Sequence, residues 1–144
     1  MKKGFKTGTE EDEEIYFAYS ATLRIFGEIS SLEEISAGLD LQPSRTHRKG
    51  DKKGPRSPGF RHDMWSYSPT LDKSEPLAKH IDVLWEKLKP HKEYLLGLKT
   101  SVTVDVFLGY RSNSGTAGFE VPCSSLEMFT ELKIPFGVSV IVTG

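Results

Sequence analysis

At 144 residues the chain has the length of a single domain, and a domain of this size can bury a hydrophobic core without disulfide or metal staples. Its formal charge is -1, 37% of its residues are apolar, and its one cysteine is Cys123. These numbers exclude an internal disulfide and a cysteine-based zinc site, and no apolar run approaches the ~20 residues of a membrane-spanning helix; a reducing, cytoplasmic location is expected.

Residues 1–14, MKKGFKTGTEEDEE, read as a flexible acidic leader. The lysines are not followed by the apolar segment of a signal peptide. The like-charged run Glu10–Glu14 has the composition of a solvated tail, or of a shield for basic groups elsewhere in the chain. Residues 15–144 read as one domain. Ile15–Phe26 is the first strand: Ile15, Phe17, Tyr19, Ala21, Leu23 and Ile25 share one face, and Tyr16, Ala18, Ser20, Thr22, Arg24 and Phe26 the other. Ser31 and Glu34 form the pattern of a capping box. They open a helix whose buried stripe is Leu32, Ile35 and Leu39.

The stretch Leu41–Trp65, LQPSRTHRKGDKKGPRSPGFRHDMW, interrupts this regular patterning. From Arg45 to Arg61 it holds Arg45, Arg48, Lys49, Lys52, Lys53, Arg56 and Arg61 against the single acid Asp51, a net +6. Its glycines and prolines break any helical or alternating pattern, so it reads as a basic loop flanked by His47 and His62.

Met64–Tyr67 is a short strand. Ser74 is placed to cap a helix over Glu75–Lys89 with Pro76 in its first turn. Leu77, Ile81, Leu84, Trp85 and Leu88 recur on one face of that helix. Trp65 and Trp85 are assigned to the core. Pro90 interrupts the helix, and His91–Leu98 adds a further helical segment. Val102–Tyr110 is a strand in strict alternation, the polar tract Arg111–Gly115 turns the chain, and Phe119–Val121 reads as a short strand. A last helix opens at Ser124, with Glu127 completing a second capping box, and Phe136–Val142 closes the sheet.

This order predicts an α+β fold: a mostly antiparallel sheet with helices packed on one face. Ser31-Leu32-Glu33 and Ser125-Leu126-Glu127 each begin a short helix that leads to a proline, Pro43 or Pro135. The parallel suggests two related ferredoxin-like halves. If their leading strands are neighbours, Arg24 and Asp105 pair across the sheet and form a polar patch with Thr22, Thr103 and Ser139. The plainer reading of that patch is the solvated face of an antiparallel sheet.

YSATLRIFG, LEEISAGLDLQPSRTHRKGD, MWSYS, LWEKLKPHKEYLLGLK and LEMFTELKIPFGVSVIV, in that order, resemble the bacterial domain of unknown function 4279 family. The most specific element is the span Pro43–Gly50, Pro-x-x-x-x-Arg-Lys-Gly, followed by Met64-Trp65. Gly118-Phe119 also fits the pattern, and the acidic leader departs from it. The resemblance brings no catalytic residues. It implies an uncharacterised bacterial protein, of a type discussed as immunity proteins beside bacterial toxins.

Three functional readings follow. In the first, the chain is a non-enzymatic interaction module. Arg45, His47, Arg48, Lys49, Lys52, Lys53, Arg56, Arg61 and His62, with Arg24 and Asp105 on the open sheet face, meet an acidic protein surface, a bacterial toxin among them. In the second, the same loop over 45–62 binds nucleic acid or a small anionic ligand through its cations, with Phe60, Trp65 and Tyr67 available to stack on bases. A chain charge of -1 weighs against strong nonspecific binding. In the third, His47, His62 and Asp63 form an enzyme site of unknown class. No cofactor and no metal are expected: His80 and His91 are separated by Pro90, and no His-x-x-x-His pair occurs. Cys123 reads as a small packed residue rather than a nucleophile. No membrane partner is expected, and an exposed edge strand would allow a homodimer.

Overall fold

The structure is a computed structural model and describes residues 14–115 and 118–143. The elements run β1 (Phe17–Gly27), α1 (Leu32–Leu39), β2 (Arg45–His47), β3 (Asp63–Tyr67), α2 (Leu77–Leu88), α3 (Lys92–Leu98), β4 (Thr103–Ser112), α4 (Glu127–Leu132) and β5 (Phe136–Val142). Short 3-10 turns over Lys89–His91 and Cys123–Leu126 precede α3 and α4. The five strands form one sheet in the order β2-β3-β1-β4-β5. β1 is antiparallel to both its neighbours, β2 is antiparallel to β3, and β5 is parallel to β4. The expected α+β architecture with a mostly antiparallel sheet is therefore present.

Alternation along β1 and β4 sorts the residues by face. Ala21, Leu23 and Ile25 of β1, with Val104, Val106 and Leu108 of β4, are buried in one apolar cluster with Trp65, with Ile35 and Leu39 of α1, with Leu77, Ile81, Leu84, Trp85 and Leu88 of α2, with Leu95 of α3, and with Met128, Phe129 and Leu132 of α4. The helices thus cover one face of the sheet, and the opposite face carries Arg24, Phe26, Asp105 and Phe107. Both tryptophans are core residues as expected. Trp65 is fully buried, and its indole Nε1–H donates to Ser36 Oγ at 3.0 Å, so its one polar atom keeps a partner. His80 is also buried, with Nε2 3.1 Å from the Glu75 carbonyl. Burial lowers its pKa and favours the neutral ring.

Several elements depart from expectation. Ser31 caps α1 by accepting from the Glu34 N–H at 3.2 Å, as expected, but the acidic side chain that its hydroxyl engages is Glu33 at 3.3 Å, one residue before the Glu34 of the capping box. Ser74 does not cap α2; its hydroxyl donates to Asp72 at 2.7 Å, and the helix starts at Leu77 behind Pro76. Ser124 lies in the 3-10 turn, and α4 begins three residues later without a side-chain cap. Phe119–Val121 forms no strand. Phe119 instead sets its ring against Tyr110 at 5.5 Å, so aromatic packing rather than ladder pairing holds this segment. The two stretches compared as ferredoxin-like halves also differ: α1 leads to β2, which is separated from β1 by β3, whereas α4 leads to β5, which pairs directly with β4. The acidic leader lies outside the described residues except for Glu14, whose carbonyl accepts from Asn113.

Trp65 occupies the sheet-to-α1 interface with no exposed surface. Trp65→Ala should therefore lower the unfolding free energy by ~3–5 kcal/mol, measured by urea denaturation with an unchanged m-value.

Candidate functional site

The basic segment is a built hairpin-like excursion between β2 and β3. Gly50 and Phe60 exchange across its neck: the Gly50 N–H donates to the Phe60 carbonyl at 2.9 Å, and the Phe60 N–H donates to the Asp51 carbonyl at 2.8 Å. Lys52 bridges to Gly59 in the antiparallel sense, and the Ser57 N–H closes the tip onto the Gly54 carbonyl at 3.1 Å. Two glycines permit this. Gly50 sits at φ +92°, which a side chain would strain. A Cβ on Gly59 would lie 2.7 Å from the Gly50 carbonyl oxygen, so the two backbones approach closely only because that position is bare. The His47 and Phe60 rings stack with centroids 3.5 Å apart, fixing the neck to β2.

Asp63, the first residue of β3, anchors the base of the excursion. Its Oδ1 accepts from the Lys49 N–H at 2.8 Å, and its Oδ2 accepts from the Ile29 N–H at 2.9 Å. Arg48 Nη1 lies 3.3 Å from the same Oδ2 and donates to the Ile29 carbonyl at 2.6 Å. One carboxylate thus ties the β1–α1 connection to both the start and the end of the basic loop. Asp51, the loop's only acid, is exposed, and its carboxylate accepts from the Arg48 N–H at 2.8 Å. The backbone donors of Ile29 and Lys49, then Arg48, hold the Asp63 carboxyl below the usual aspartate range.

These contacts divide the expected site residues into two groups. Arg48 and His47 are half-buried and structural in their contacts. Arg45, Lys49, Lys52, Lys53, Arg56 and Arg61 are exposed, and none of them forms an ion pair with any described residue. His62 is exposed beside the Phe26 ring at 6.3 Å. His47 and His62 thus engage different aromatic rings, and Asp63 is committed to backbone donors. Among the described residues no group of three or more His, Cys, Asp or Glu side chains converges to hold a metal. Cys123 is exposed at the start of its 3-10 turn.

Arg24 and Asp105 are direct partners in the β1–β4 register. The guanidinium makes the two-pronged contact expected of a neighbouring strand, Nε to Oδ1 at 2.8 Å and Nη2 to Oδ2 at 2.7 Å. It also lies 4.5 Å from the Phe107 ring centroid and 5.4 Å from that of Phe26. Its pKa is raised, first by the hydrogen bond to Asp105. Thr22 and Ser68 join hydroxyls at 2.7 Å on the same strand face. The open face therefore carries a continuous line from the loop across the sheet, His62 to Phe26 to Arg24 to Phe107. Sequence patterning located Arg24 and Asp105 but missed Asp63 as an anchor and Phe60 as a neck residue. The signals were an aspartate immediately preceding the strand MWSY and a lone aromatic between glycine and arginine.

A carboxylate with a depressed pKa contributes stability that is present above its unfolded pKa and is lost as pH falls through the folded value. Asp63→Asn should lower the thermal midpoint at pH 7, and the gap from wild type should narrow as pH drops below about 4. Thermal unfolding across a pH series checks this; a gap independent of pH would contradict it.

No curated protein and no solved structure matches the chain. Residues 16–143 match the family described as Domain of unknown function (DUF4279). That span takes in every strand and helix of the sheet, including the anchored basic loop, and the chain belongs to this family.

Proposed function

We propose that the protein is a non-enzymatic interaction module that presents the loop over 45–62 to an acidic protein surface. The observation that carries this reading is the division of loop charges: the carboxylate of the one acid, Asp51, is engaged by the Arg48 N–H, while six exposed cations have no acidic partner among the described residues. Charge held on a hydrogen-bonded hairpin is pre-organised, so less ordering entropy opposes association. Complementary charge accelerates encounter and selects the partner. The partner would be an acidic protein such as a bacterial toxin, in keeping with an immunity-type role. The aromatic and arginine line on the open sheet face extends the contact surface beyond the loop.

The alternative, a nucleic acid or small anion on the same cations, has less support. The His47 face of Phe60 is taken by stacking within the protein, and the whole chain carries a net -1, unlike a typical polyanion-binding domain.

Arg48 belongs to the anchor, so the informative variant leaves it intact. Lys49→Glu, Lys52→Glu, Lys53→Glu and Arg56→Glu combined should leave thermal unfolding within a few degrees of wild type, because these side chains make no ion pairs within the described protein. The same variant should lose its partner by more than tenfold in affinity. Wild type and variant are used side by side to capture partners from the cells that encode the protein. An acidic protein retained only by wild type, and released by salt, is the expected result. Nucleic acid as the retained species, or equal capture by both forms, would contradict the reading.

A further inference from the structure

β5 ends the sheet: β4 lies on one side of it and no described strand on the other. Edge strands are usually protected by charge, proline or a covering element, because their unpaired main-chain groups template pairing with another chain. Phe136–Val142 holds no charge and no proline, no charged residue occurs from Ile134 to Gly144, and no described strand or helix covers this edge. Its side chains are exposed as well: Phe136 46%, Val138 40%, Val140 57%, Ile141 40% and Val142 55%. At the ~150–200 Å² that a large apolar side chain offers, this amounts to roughly 400 Å² of apolar surface per copy, in the range that marks an interaction site and about half of one partner's share in a standard interface.

The backbone shows which groups point outward. The Pro135 carbonyl accepts from Val106 N–H, and the Thr143 N–H donates to the Ser112 carbonyl. Odd-numbered positions of β5 therefore face β4. Phe136, Val138, Val140 and Val142 direct their N–H and C=O groups away from the sheet.

From this geometry we propose that β5 is a homodimer interface, in which two copies join their sheets by antiparallel pairing of β5 with β5 about a two-fold axis at Ser139. This register pairs the whole strand. It sets Phe136 opposite Val142 and Val138 opposite Val140, all four being outward-directed positions that exchange hydrogen bonds in such a ladder. It sets Gly137 opposite Ile141. A Cβ on Gly137 would meet the Phe107 ring at 3.1 Å, so the partner's Ile141 packs over a bare backbone onto an aromatic ring already there, the arrangement by which an aromatic compensates a strand glycine. Self-pairing is favoured over a charged strand from another protein because the uncharged sequence meets itself without like-charge repulsion, and a two-fold interface needs the self-complementarity that this register supplies. The contact is independent of the basic loop, which lies across the sheet beyond β1.

The test combines oligomeric state with register. Wild type should sediment at twice the chain mass across a concentration series. Val138→Lys with Val140→Lys places lysine opposite lysine in the proposed ladder and should give monomer; Val138→Lys with Val140→Glu places opposite charges there and should restore the dimer. Ser139→Cys in a Cys123→Ser background should form an intermolecular disulfide on mild oxidation, since non-hydrogen-bonded antiparallel partners hold their side chains closest. Circular dichroism confirms that each variant is folded. A monomeric wild type, a dimer that survives the double lysine variant, or a dimer without the Ser139→Cys crosslink would overturn the proposal.

Discussion

One carboxylate organises the part of this molecule that carries its strongest charge. Asp63 accepts from Ile29 and Lys49 and faces Arg48, so the turn after β1, the exit from β2 and the entry to β3 share an anchor. Without it, the cations beyond β2 would sit on a loop whose neck is closed but whose base is not tied to β1. Like charges at close spacing repel, and a flexible basic loop spreads to relieve that repulsion. With the base pinned and the neck exchanging hydrogen bonds between Gly50, Asp51 and Phe60, the repulsion is held within a fixed geometry. The charge that remains unneutralised is the charge that does not contribute to the anchor.

The sheet extends the same logic. β1 lies at its centre and is antiparallel to both neighbours, so its two faces have different tasks. The inward face packs against the helices. The outward face carries Arg24, which is paired with Asp105 and stacked between Phe26 and Phe107. Arg24 is therefore a satisfied cation that stiffens the open face, distinct from the exposed cations of the loop. The loop lies toward one side of the sheet and the β5 edge, which no described strand pairs, toward the other, which leaves room for two different kinds of contact on one small domain.

Much of the fold was legible in the sequence because it rests on periodicity. The alternation of Val102–Tyr110 and of Ile15–Phe26 located β4 and β1 and placed Arg24 opposite Asp105. The heptad-like recurrence of Leu77, Ile81, Leu84 and Leu88 located α2. What was not legible depended on contacts between residues distant in sequence or on backbone geometry. β2 is three residues long and lies inside a basic tract, too short for any alternation to register. The role of Asp63 requires Ile29 to be its neighbour, which only the β1–β3 register establishes. The parallel direction of β5 follows from α4 returning the chain to the same end of the sheet, and apolar composition in FGVSVIV carries no signal of strand direction. Phe119–Val121 has strand-like composition, but its aromatic ring found Tyr110 instead. A capping pattern at Ser124 was outweighed by the 3-10 turn that starts one residue earlier.

The basic loop is an ordered platform and not a mobile charged tether. Amide hydrogen exchange of the isolated wild-type protein tests it most directly. Exchange should be slow at the Lys49, Gly50 and Phe60 amides, which donate to Asp63 and across the neck, with fast exchange confined to the tip around Lys53 and Arg56. Uniformly fast exchange from residue 48 to 62 would contradict it, because the cations would then have no fixed arrangement to present.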